Sequence, residues 1–99
     1  MVNYLYFYTN DCAICGQGTV AKINDIRPQV EEKKMELVVK QVPLFTGWQA
    51  EAKEIGAKIP FFFNPQTNMV AEYQDIFTKD KNNTENINQK NLSLLLESE

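Results

Sequence analysis

The sequence predicts an α/β fold with elements in the order β-α-β-α-β-β-α, a four-stranded mixed sheet flanked by helices. Three observations predict it. Residues 3–9, Asn-Tyr-Leu-Tyr-Phe-Tyr-Thr, are aromatic or branched at almost every position, which suits a central strand covered on both faces. Helical spacing follows twice, at Val20, Ile23 and Ile26 and again at Trp48, Ala52 and Ile55. Two apolar runs, Ile59–Phe63 and Met69–Tyr73, flank the polar turn 64–68 and read as a hairpin. The αβ crossovers make the first two strands parallel, and the hairpin adds an antiparallel pair.

The chain of 99 residues is one domain, residues 1–99, since two cores of half that size would each be too small to hold together. An apolar fraction of 43% with 11% aromatics is ample for a packed core. Ten basic against thirteen acidic side chains give a net charge of −3 without a long basic run. That balance argues against nucleic acid or an anionic membrane as main partner. No stretch approaches the ~18 apolar residues of a membrane span. Met1-Val2-Asn3-Tyr4 has no basic start and no small-residue cleavage site, so a cytoplasmic location is expected. A monomer is the default expectation.

Taken in order, Thr9-Asn10-Asp11 supply turn and capping chemistry after the first strand. A helix is expected from about Ala13 to Ile26, weakened in its first turns by Gly16 and Gly18. Pro28 is expected to kink or break it, with 29–34 continuing for a turn or two. Met35–Gln41 is the second strand, and Pro43-Leu44-Phe45 a connection. Thr46-Gly47-Trp48-Gln49 has the form of a capping box for a helix running to about Ile55. Gly56 stands where a left-handed terminus is expected. After the hairpin, 78–84 is a polar loop, and a last helix is expected over 85–96 with Ile87, Leu92, Leu95 and Leu96 inward.

The chemistry is concentrated in Cys12-Ala13-Ile14-Cys15. The motif falls beyond the carboxyl end of a parallel strand, where catalytic groups of such sheets lie. Two cysteines three apart close too short a ring to stabilise the fold much, and the cytoplasm keeps thiols reduced. Catalysis, redox sensing or metal binding remain. At a helix start, unpaired N–H groups favour a thiolate on Cys12. The thiolate is the nucleophile of disulfide exchange. Cys15, expected one turn behind and more buried, would resolve the mixed disulfide. A zinc site needs about four ligands, and this chain has no histidine and no third cysteine. A metal would have to recruit Asp11 or a second subunit. The plainest alternative is two cysteines packing as small apolar groups.

Tyr-Phe-Tyr-Thr-Asn-Asp-Cys-Ala-Ile-Cys, the αβ units after it and Ala57-Lys58-Ile59-Pro60-Phe61 together resemble the thioredoxin/glutaredoxin superfamily over nearly the whole chain. The resemblance implies a thioredoxin-like fold of glutaredoxin size. It also implies a thiol–disulfide oxidoreductase with Cys12 and Cys15 catalytic, and no cofactor bound in the protein. Its partners would be protein disulfides and an electron-donating reductase. In that family the peptide before the proline is cis and lies against the disulfide, and the backbone of Ile59 would pair with substrate beside Cys12. Read on its own, Pro60 is the first residue of an edge strand. The sequence departs from familiar members. Ala13-Ile14 is neither Gly-Pro nor Pro-Tyr, and Tyr6 stands where thioredoxins carry a buried aspartate. Tyr73-Gln74-Asp75-Ile76 lacks the glutathione-holding segment of glutaredoxins, so glutathione is weakly supported.

Asp11 has two readings: a helix cap, and a charge that opposes the Cys12 thiolate and keeps its pKa near that of a free thiol. Lys58 would restore positive potential if the Pro60 loop lies over the site, and otherwise is a solvated lysine. Tyr8 and Ile14 are expected to form an apolar rim for substrate. Trp48 reads as a core or helix–sheet contact. Three rival functions remain: a redox sensor or binding module without turnover, an intersubunit metal site, and a glutathione-dependent reductase.

Overall fold

Successive residues of a strand point to opposite faces, and the alternation of β1 (Asn3–Thr9) sorts its side chains into two cores. Leu5 and Phe7 pack with Ile23, Ile26, Leu37, Phe62 and Leu92 on one side, while Tyr8 joins Val42, Ala52 and Phe61 on the other. The computed structural model describes residues 3–12 and 14–97. After β1 it runs α1 (Thr19–Ile23), α2 (Arg27–Glu32), β2 (Met35–Gln41), α3 (Thr46–Ile55), β3 (Phe61–Asn64) and β4 (Met69–Glu72). A small extension follows: α4 (Tyr73–Ile76), β5 (Phe77–Lys79), β6 (Glu85–Ile87) and α5 (Gln89–Leu95). A 3-10 turn at Val42–Leu44 links β2 to α3.

The main sheet is four-stranded and mixed, in the order β2-β1-β3-β4. β1 runs parallel to β2 from Asn3↔Met35 to Thr9↔Gln41, and antiparallel to β3 from Tyr6↔Phe63 to Tyr8↔Phe61. β3 and β4 form the expected hairpin. The core on the Leu5 side draws residues from α1, α2, α4 and α5, whereas the Tyr8 side is covered by α3. Asn64, fully buried at the end of β3, donates through Nδ2 to the carbonyls of Leu95 (2.7 Å) and Glu97 (3.2 Å), tying the chain's end to the sheet. Among the described residues, no helix is long and apolar enough to cross a membrane.

Several local expectations are corrected. The first helix begins at Thr19, because Gly16 and Gly18 take positive φ (65° and 64°), which an α-helix does not admit. Ala13, where it was expected to start, lies outside the described residues. Pro28 opens a separate helix: it occupies the first turn of α2, where its missing N–H goes unused in any case. The Thr46–Gln49 capping box does not form, since Thr46 is already helical and Phe45 is the N-cap without a side-chain bond. A reciprocal box occurs instead between Glu72 and Asp75. Gly56 ends α3 in the left-handed region as expected. β3 begins at Phe61, after Ile59-Pro60, and Tyr73 starts α4. Residues 85–87 pair with β5, and Asn88 then caps α5 by accepting the Asn91 N–H at 3.1 Å.

Two tyrosines are held protonated. Tyr8 donates to Glu51 (3.0 Å) and Tyr73 to Glu85 (2.8 Å). Burial, then the bond to and charge of the carboxylate, raise both phenols well above their ordinary value. The folded protein therefore holds these protons more tightly than the unfolded chain. Their contribution is full below the unfolded pKa of about 10 and is lost as pH rises beyond it. Denaturant titrations above about pH 10 should show stability falling with pH, and Tyr73→Phe should make that fall shallower.

Candidate redox site

The loop 10–18 leaves the carboxyl end of β1, the central strand of the sheet. A polar tie fixes its two ends. Thr9, 1% exposed, accepts the Asp11 N–H at 3.0 Å and shares a 3.0 Å hydrogen bond with the Thr19 hydroxyl. The Asp11 carboxylate then accepts both the Thr19 hydroxyl and its backbone N–H, the latter at 2.9 Å. These bonds hold the Asp11 carboxyl below the usual carboxylate range, the side-chain bond contributing most. Asp11 thus caps α1, the first of its two sequence readings.

Within that tie, Cys12 and Cys15 form a disulfide with Cα atoms 5.3 Å apart. The Cys15 N–H donates to Cys12 Sγ at 3.1 Å. Two expectations fail here. The pair does not open a helix: residues 14–16 form a turn and α1 begins only at Thr19. Its dipole acts within the first turn and is spent on Asp11. Cys15 is also the exposed partner, while Cys12 is half-buried. The turn lifts the second cysteine outward, where a helix would have rotated it toward the core.

The remaining predicted residues separate. Ile14, 96% exposed, stands at the tip of the turn. Tyr8 forms no rim: it is 2% exposed, stacks on Phe61 with ring centroids 4.7 Å apart, and turns its hydroxyl toward Glu51. The parity of β1 decides this, because Tyr8 points to the α3 face. The Ile59-Pro60 peptide is cis. Since Tyr8 pairs with Phe61, the next step of the register sets Pro60 abreast of Thr9, beside the start of the cysteine loop. The Pro60 carbonyl accepts the Tyr73 N–H at 3.0 Å. Ile59 lines a shallow groove of about 260 Å³ with Val42, Gln49, Ala52, Lys53 and Ala57. Lys58 is exposed just before it and makes no ion pair among the described residues. Trp48 is half-buried and packs edge-on against Phe45 at 4.5 Å.

Sequence reasoning missed Thr19 and a buried polar group beneath α3. Lys40, 9% exposed, pairs with Glu51 at 2.8 Å, bonds the Tyr8 hydroxyl at 3.4 Å and lies 3.9 Å above the Tyr6 ring. Burial alone would raise the Glu51 carboxyl, but hydrogen bonds from Lys40 and Tyr8 outweigh it and hold the group low. A lysine interrupting the apolar run Leu37-Val38-Val39 of a parallel strand was the available signal. Among the described residues, no three His, Cys, Asp or Glu side chains gather as a metal site. Comparison with family models, with curated proteins and with solved structures gives no match.

Gly18 is the strictest position of the loop. Its φ of 64° with ψ of −134° is open essentially to glycine alone, and a Cβ there would come within 2.8 Å of Asp11 Oδ2, which Thr19 holds in place. Gly18→Ala should cost about 1–3 kcal/mol of stability, measured by chemical denaturation, and should displace the Asp11 cap.

Proposed function

We propose that this protein is a thiol–disulfide oxidoreductase with a thioredoxin-like, glutaredoxin-size fold, acting on protein disulfides through Cys12 and Cys15. The observation that carries this reading is the Cys12–Cys15 disulfide in an exposed turn at the carboxyl end of the central strand. Support comes from the sheet order, which sets the Ile59-Pro60 segment beside that turn, and from the groove that Ile59 lines.

In the reducing direction the Cys12 thiolate attacks one sulfur of a substrate disulfide. A mixed disulfide forms and the substrate's other sulfur leaves as a thiolate, which takes a proton from water. Cys15, deprotonated, then attacks Cys12 Sγ, the Cys12–Cys15 bond forms and the second substrate thiol is released. Two electrons pass from protein to substrate, and a dithiol donor such as a reductase returns them. The reaction needs no bound cofactor. A monomer working in the cytoplasm fits this scheme, with glutathione a minor partner at most.

The backbone N–H of Cys15 does the work once expected of a helix end. A hydrogen bond to a charged group is worth about 1.5–3 kcal/mol, and this one ends on Cys12 Sγ. The neighbouring Asp11 carboxylate opposes it, but charges facing water interact by only about 1 kcal/mol even at close range. The donor therefore prevails. In the reduced protein, Asp11→Asn should move the midpoint of thiolate absorbance against pH downward; an unchanged midpoint would show that the carboxylate is only a cap.

The exposures favour a second reading of polarity, because Cys15 is the more accessible sulfur and access also governs exchange. Both orders are tested together. Cys15→Ser should trap substrates from a cell extract covalently on Cys12, whereas Cys12→Ser should trap few on Cys15. The opposite pattern would reverse the roles, and no adduct on either variant would count against disulfide exchange altogether.

A further inference from the structure

The two faces of the main sheet are unequally covered. Helices α1, α2 and α5 close the Leu5 face, but α3 alone lies on the other. It buries the Tyr8–Phe61 end and leaves the next cross-strand row half-covered: Tyr6 lies opposite Phe63, and Phe63 opposite Val70. Between that row and α3 is a cavity of about 490 Å³, within the range of small-molecule sites.

The charges around this cavity do not cancel. Lys40 is consumed internally, by Glu51 at 2.8 Å, the Tyr8 hydroxyl at 3.4 Å and the face of Tyr6 at 3.9 Å. An ammonium has three donors and no more to offer. Both bonds that reach Glu51 end on Oε2, which leaves Oε1 toward a ligand. Glu54 follows three residues later on the same face of α3, also lines the cavity, and has no ion-pair partner among the described residues. Two carboxylates thus stand over an aromatic floor with one compensating cation. A second cation would relieve their repulsion and meet the rings of Tyr6 and Phe63 favourably.

We propose that this cavity binds a small organic cation, an arylalkyl ammonium or guanidinium. Its apolar body lies on Tyr6, Phe63 and Val70, and its head lies between Glu51 and Glu54. The site is separate from the cysteine turn and does not depend on the redox reading. An anionic ligand is disfavoured because Lys40 is already saturated, and a purely apolar one would leave the carboxylates unpaired.

The test is an amide chemical-shift titration of the full chain in its disulfide form, at low salt, with three probes of one shape: tryptamine, the neutral alcohol tryptophol and the anion indole-3-propionate. Tryptamine should saturate, shift resonances of Tyr6, Glu54, Ile55, Phe63 and Val70, and bind roughly fivefold or more tightly than the alcohol. The exposed substitution Glu54→Gln should remove most of that preference. The proposal is overturned if the three probes bind alike, if the anion binds best, if the shifts map elsewhere or never saturate, or if the same resonances move on diluting the free protein, which would mark the face as one covered by a second copy.

Discussion

The constraint on which this structure depends is the register of β1. It has a strand on each edge and a packed layer on each face. A slip of one residue would exchange Leu5 and Phe7 with Tyr6 and Tyr8. Two phenols with ionic partners would then face the apolar layer beneath α1 and α5, and two apolar side chains would face Lys40 and Glu51. Neither layer tolerates that, so the register is fixed from both sides. The position where the chain leaves β1 is fixed with it. Thr9 pairs with Gln41 on one side, and the Tyr8–Phe61 pairing brings Pro60 alongside on the other. Three connecting segments therefore meet at one end of the sheet: the cysteine loop, the turn after β2 and the 56–60 segment. The candidate redox site is a consequence of strand pairing before it is a matter of cysteine chemistry.

What the loop does with that position is decided by Asp11 and two glycines. A carboxylate beside Cys12 could face the sulfur or the helix start. Here it faces Thr19, which offers two donors. Gly18 makes this closure geometrically open, since its backbone takes a conformation closed to other residues and its missing Cβ leaves room for Oδ2. The helix dipole and the cysteine pair are thereby uncoupled. The negative end of Asp11 meets the positive end of α1, and the sulfur of Cys12 is left with a single backbone donor from Cys15.

This division also explains what could be read from the sequence. Met35–Gln41 was legible to the residue, because a parallel strand buried on both faces is apolar almost throughout. The hairpin around 64–68 and the Gly56 terminus were legible because turn chemistry is local. The start of α1 was not. Val20, Ile23 and Ile26 show helical spacing, but whether the helix extends back over Cys15 depends on glycine φ angles that tertiary bonds select. The Thr46–Gln49 pattern failed for a related reason: the helix starts one residue earlier than the pattern assumes, so the hydroxyl is no longer at the cap. Residues 85–87 read as helix because Ile87 continues the spacing of Leu92 and Leu95, yet pairing with β5 claims them first. At the candidate site, the cysteines and the Ile59-Pro60 segment were visible as motifs. Tyr8 was misplaced because proximity in sequence to Cys12 says nothing about which face a strand residue takes.

The buried group under α3 raises the question of why an α/β protein keeps a lysine inside. Removing Lys40 and Glu51 from water is costly, and their attraction recovers the loss only with good additional bonding. Lys40 has that bonding: the Tyr8 hydroxyl and the face of Tyr6 supplement the carboxylate, and Glu51 keeps 45% of its side chain in solvent. The stabilisation gained is therefore modest, and the group acts chiefly by fixing position. Glu51 lies in the middle of α3, Lys40 near the end of β2 and Tyr8 near the end of β1, so their bonds set both the rotation and the placement of α3 on the sheet. Apolar contacts alone would let α3 slide toward the half-covered row at Tyr6 and Phe63, where more surface could be buried. The polar group holds it back over Tyr8 and Phe61, and that restraint is what leaves the cavity open.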